Sequence, residues 1–62
     1  MTKRENALQR LSYWAEVCTY DTEAAPMAEA FCDRFAAEAL HYGATQADVD
    51  AAIQAVAAVA RA

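Results

Sequence analysis

Residues 48–62 read DVDAAIQAVAAVARA, and apart from Asp48, Asp50, Gln54 and Arg61 every side chain in the stretch is alanine or a branched aliphatic. Its composition favours the helix, yet it has almost no polar face. At about 100° per residue, Val49, Ala52, Ile53, Val56, Val59 and Ala60 fall on one side, the side expected to fill the core of a helical domain. The opposite side carries Ala47, Ala51, Ala55, Ala58 and Ala62, and from Ala51 onward these follow heptad-like offsets of four, three and four residues. A stripe of methyl groups lets a second helix approach more closely than the usual axis separation of about 8–10 Å. The stripe is therefore expected to be a self-association surface. The competing reading is that alanine is simply the best helix former on a solvated face.

The need for such a surface follows from the totals. A chain of 62 residues is one domain at most, and at that size folding buries only about 60% of the surface the unfolded chain exposes. Alanine supplies 18 residues, whereas Leu, Ile, Val, Phe, Met and Trp together supply 13. Burial is worth about 25 cal/mol per Å² of apolar surface, so small side chains contribute little each. Domains this small usually gain stability from disulfides, a metal, tight helix packing or a partner subunit.

One glycine, one proline and no β-branched runs point to an all-α chain. Thr2 followed by Glu5 is a capping-box pattern that starts helix 1, expected over about 3–19, with Ala7, Leu8, Leu11, Trp14, Ala15 and Cys18 as its core stripe. Asp21 and Thr22 are turn formers, and Pro26 fits only the first turn of a helix, so helix 2 is expected from residue 23 or 26 to 42. Its core face reads Met27, Ala28, Phe31, Cys32, Phe35, Ala39 and Tyr42, with Arg34, Glu38 and His41 opposite. Gly43 is a left-handed stop, and Thr45 caps helix 3, expected over 46–61, with Asp48 at its third position. Both connections are short. The expected architecture is a compact antiparallel three-helix domain that forms a homodimer.

Helix 1 carries a surplus of its own, because Tyr13, Val17 and Tyr20 stand at i, i+4 and i+7 outside the core stripe. Tyrosine suits interfaces, since a flat apolar ring arrives with a polar end that tolerates water. Such residues also occur at core edges. Glu29 and Asp33, four apart on helix 2, and Glu38 further along could steer a basic partner. The net charge of −4 suits such a partner better than a phosphate backbone or an anionic membrane. The opening MTKRENALQR has no apolar run and the alanine-rich tail is too short to span a bilayer, so the expected setting is cytoplasmic and away from membranes.

Little in the sequence supports catalysis or cofactor binding. The soft metal donors are His41, Cys18 and Cys32, and His41 falls nearly opposite Cys32 on helix 2, so no metal site is expected. A turn centred near residue 22 would put the two cysteines several residues out of register, beyond the roughly 7 Å between Cα atoms that a disulfide spans. A turn centred nearer residue 25 would let them meet. A nucleophile would have to rely on the single His41, no glycine-rich phosphate loop exists, and a pocket of about 300 Å³ would consume much of the core. No catalytic or cofactor-binding residue is assigned.

The stretch ALHYGATQADV places Ala39, Gly43 and Val49 at the spacing of a small contact residue, a turn glycine and an aliphatic anchor. In this it resembles the helix-turn-helix motif over about 20 residues, which would imply a DNA-binding regulator. The second helix departs from that pattern: it offers Gln46 and Gln54 toward bases, but Asp48 and Asp50 toward phosphates, with no Lys or Arg before Arg61. Lys3, Arg4 and Arg10 cluster at the other end, where Arg10 could lie on Trp14. The leading expectation is thus a small non-enzymatic, protein-binding adaptor or regulator acting as a homodimer. A transcriptional regulator with a degenerate helix-turn-helix and an acidic, DNA-mimicking inhibitor of a basic partner are the alternatives.

Overall fold

Thr2 starts the first helix as the sequence pattern requires, its Oγ1 accepting a hydrogen bond from the Glu5 N–H at 3.1 Å. Helix α1 then runs Lys3–Tyr20. The chain is a computed structural model, which describes the backbone of residues 1–61 and the side chains of residues 1–57. Asp21 ends α1 in extended backbone and turns the chain, its Oδ1 accepting from the N–H groups of Glu23 and Ala24, both at 3.2 Å. Helix α2, Ala25–His41, opens with Pro26 in its first turn, where the missing N–H is not needed.

The α2 terminus is a full Schellman motif. Gly43 takes φ +98°, the Ala44 N–H donates to the Ala39 carbonyl at 3.0 Å and the Gly43 N–H to the Leu40 carbonyl at 3.1 Å. Ala39 and Ala44 are both buried beneath it. Thr45 and Asp48 then cap each other across the first turn of α3, Gln46–Arg61: the Asp48 N–H donates to Thr45 Oγ1 at 3.1 Å and the Thr45 N–H to Asp48 Oδ2 at 3.0 Å. That reciprocal pair satisfies two N–H groups that would otherwise lack partners.

The three helices pack side by side. The long dimension of the molecule, 30 Å, is little more than the length of α1, about 27 Å at 1.5 Å per residue. Arg10 reaches Phe35 and Trp14 stacks on Phe31, so α1 and α2 are antiparallel. Ser12 Oγ donates to the Ala52 carbonyl at 3.2 Å and Tyr20 lines one groove with Ala55 and Val56, so α3 runs parallel to α1. Helix α1 packs on both neighbours, while α2 and α3 scarcely touch. Among the described residues, no helix is long and apolar enough to cross a membrane.

Alanine fills most of the centre. Ala7, Ala15, Ala28, Ala39 and Ala44 are buried with Leu11, Phe35 and Val49, and Leu11 is the largest of the described side chains to be wholly enclosed. Close approach of helices substitutes for bulk here. Three residues expected in the core lie outside it: Met27 is 54% exposed, Ile53 40% and Tyr42 38%. Ile53 is left open because α2 does not close over α3. Met27 sits on the edge of the α2 stripe away from α3, and Tyr42 falls in the C-cap as the helix ends.

Candidate binding surfaces

Four aromatic residues form a continuous row along the α1–α2 seam. Tyr13 meets Trp14 edge-on with ring centroids 5.1 Å apart, Trp14 stacks on Phe31 at 4.4 Å, and Phe31 stands 6.2 Å from Phe35. Two guanidiniums, of Arg10 and Arg34, lie 5.8 Å from the Phe35 ring. Arg10 thus packs on Phe35 rather than on Trp14, because the antiparallel neighbour presents its ring at that level and Asn6 Oδ1 accepts from Arg10 Nε at 2.7 Å. Tyr13 is 58% exposed and Val17 half-buried, so the outer end of the row is open to solvent.

Tyr20 borders a second surface. It is 60% exposed and lines a shallow groove between α1 and α3 with Ser12, Glu16, Ala55 and Val56. The groove adjoins the alanine flank of α3, where Ala47, Ala51 and Ala55 are exposed. Ala58 and Ala62, the remaining members of the stripe, lie outside the described side chains. At 100° per residue Tyr13, Val17 and Tyr20 stay within about 60° of one another around α1, and Tyr20, at the end of that row, also borders the α1–α3 groove.

A second cleft opens where α2 and α3 diverge over α1. It has a volume of about 360 Å³, a floor that includes Ala15, Cys18, Cys32 and Ile53, and the carboxylates of Glu29 and Asp33 at its side. Both cysteines are free and half-buried. The pairing of Arg10 with Phe35 and Trp14 with Phe31 is the register of a turn centred near residue 22, and Cys18 and Cys32, unbridged, line the same cleft. Burial raises the Cys32 thiol pKa, and Cys18, Asp33 and Glu29 raise it further. Among the described residues, no three His, Cys, Asp or Glu side chains are arranged to hold a metal ion.

Glu38 does not join Glu29 and Asp33. Half-buried, it lies at the opposite end of the molecule in a hollow shared with Met1, Lys3, Asn6 and Tyr42. Two basic residues toward that end, Lys3 and Arg10, are engaged within the chain. Lys3 Nζ sits 5.5 Å over the Tyr42 ring. Hydrogen bonding to the Thr45 backbone N–H and then its hydroxyl holds the Asp48 carboxyl below the usual range, and the nearby Arg4 adds to the effect. By contrast, residues 11–33 contain Glu16, Asp21, Glu23, Glu29 and Asp33 and no Lys, Arg or His. Five of the nine acidic residues thus fall in this stretch around the α1–α2 turn, which Arg34 follows directly; the side chain of Arg61 lies outside the described ones.

His41 is exposed, with its ring edge-on to Tyr42 at 5.1 Å. On α3, Gln46 Nε2 donates to Asp50 Oδ1 at 3.0 Å, so the first glutamine of that helix is turned toward an acid of its own chain. No family model, no curated protein and no solved structure matches the chain. The surfaces themselves carry the functional reading.

Proposed function

We propose that this chain is a non-enzymatic, protein-binding adaptor or regulator that acts as a homodimer through the outer side of α3 and offers its acidic end to a basic partner. One observation carries the reading: α3 is docked chiefly along α1, with little contact to α2, leaving Ala47, Ala51 and Ala55 exposed beside an apolar groove. A helix held by one edge and lined with methyl groups on the other is suited to close packing against its own copy across a twofold axis. The exposed Tyr13 with the half-buried Val17, and Tyr20 at the α1–α3 groove, supply apolar contact area for a partner, while Glu29 and Asp33 provide attraction and register. Glu38, at the far end, would act separately from them. The free thiols suit a cytoplasmic, reducing setting.

The test is sedimentation velocity at micromolar concentration on the wild type and Ala55→Glu. Burying that charge without a partner costs at least a few kcal/mol, so the variant is expected to sediment as a monomer or unfold, whereas the wild type is a dimer. A wild type that sediments as a folded monomer rejects self-association.

The helix-turn-helix reading is supported by one feature, the Ala39, Gly43 and Val49 arrangement, in which the first and last are buried and Gly43 makes the turn. The acidic first turn of α3 and the packing of Lys3 on Tyr42 and Arg10 on Phe35 oppose it. A mobility shift on duplex DNA at about 50 mM salt decides between the two, since phosphate contacts are strongest at low salt. No shift is expected.

A further inference from the structure

The cleft between α1, α2 and α3 has two properties that belong together. Its floor includes Ala15, Cys18, Cys32 and Ile53, all weakly polar or apolar, and Ile53 is 40% exposed even though the helical pattern assigns it to the core. Its side carries Glu29 and Asp33, which stand one helical turn apart on α2, and both are exposed. The stretch of α1 and α2 that supplies these walls, residues 11–33, carries five carboxylates and no cationic side chain; Arg34 follows it, and Arg61 of α3 lies outside the described side chains. A volume of about 360 Å³ is at the small end of ligand pockets, enough for a few side chains rather than a whole cofactor.

From this juxtaposition we infer that the cleft is the seat of a basic amphipathic helix of a partner protein, whose aliphatic side chains enter between α2 and α3 while its lysines or arginines pair with Glu29 and Asp33. The inference rests on the reading of the chain as an adaptor for a basic protein and names the place and the chemistry of the contact. Helix-in-groove recognition requires an apolar trough for residues at i, i+3 and i+4 and a polar rim that fixes register. The cleft supplies both. Like charges along the rim repel one another in the free protein, and Cys32 in the floor feels both acids as well as Cys18. A cationic occupant relieves that repulsion, which an acidic or neutral one would not. Three helices contribute, so the floor exists only in the folded chain.

The probe is a synthetic amphipathic helix of leucine and lysine, with a leucine–glutamate peptide of the same pattern as its control. Cys18 and Cys32 report occupancy directly through their rate of reaction with N-ethylmaleimide, followed by mass spectrometry. At a peptide concentration about ten times its Kd, the leucine–lysine peptide is expected to slow both thiols about tenfold by mass action. Amide shifts should centre on Ala15, Cys18, Cys32 and Ile53. Glu29→Lys with Asp33→Lys changes only exposed side chains; its helical circular dichroism should match the wild type, and its affinity for the peptide should fall about tenfold or more.

Failure to bind the leucine–lysine peptide, equal binding of the leucine–glutamate peptide, or binding that leaves both thiols as reactive as before each overturns the proposal. So does a wild-type dimer that the double charge reversal converts to a folded monomer, since the cleft would then be the seam between copies. A monomeric wild type that binds the peptide and protects its thiols removes the self-association reading and leaves this one standing.

Discussion

Gly43 holds φ at +98° with open space where a Cβ would be, so its role is conformational and not steric. Gly43→Ala is expected to cost about 1–2 kcal/mol, the penalty of left-handed backbone for an L-residue, with no rearrangement of neighbours. Chemical denaturation measures it, and a loss close to zero would mean the Schellman turn relaxes elsewhere. Two residues on, Asp48 and Thr45 form the cap that starts α3. Because hydrogen bonding to Thr45 lowers the Asp48 carboxyl below its ordinary value of 3.8, the folded state binds that proton less readily than the unfolded state. The cap's electrostatic contribution is therefore complete above the ordinary carboxylate range and disappears as pH falls through that range to the lower folded value. Melting temperatures of wild type and Asp48→Asn should differ at neutral pH and converge in acid below that window. A gap that persists unchanged in strong acid would show that the charge is irrelevant to the cap.

The caps, the turn glycine and the start of α2 were legible because each depends on residues adjacent in sequence, with chemistry that acts locally. What periodicity could not supply was the angular position of α3. A hydrophobic stripe identifies which side of a helix turns inward, but not which of two flanks a third helix covers. That missing angle explains why Met27 and Ile53 read as core yet lie open, and why Cys18 and Cys32 border a cleft with Ile53 instead of being covered by α3. It also separates Glu38 from Glu29 and Asp33: nine positions along a helix carry it about 13 Å away. The contrast within α3 is measurable. Val49 is 2% exposed and Ile53 is 40% exposed, although both sit on the same predicted face. Val49→Ala is expected to cost about 2 kcal/mol through lost burial and a residual cavity, and Ile53→Ala under about 1 kcal/mol, by denaturant titration. Equal losses would place Ile53 under a neighbour that the isolated chain does not provide.

At the scale of the molecule, the question is whether so alanine-rich a core can hold one chain alone. Leu11 is the largest wholly enclosed side chain among those described, and α2 gives α3 almost no support. A domain of this size has a total stability of about 3–9 kcal/mol at best, and methyl-sized contacts leave it near the lower end. If a second copy supplies the missing contact on α3, folding and association are one equilibrium, and stability rises with protein concentration. A tenfold increase adds about 1.4 kcal/mol per dimer. Divided by an unfolding entropy of about 2.1 cal/mol/K per residue over two chains, this raises the melting temperature by about 5 °C. Thermal melts across two decades of concentration should therefore shift upward together with the appearance of dimer in sedimentation, and Ala55→Glu should abolish the shift. A melting temperature independent of concentration would mean that close-packed alanine suffices, and that the methyl face of α3 is a solvated one.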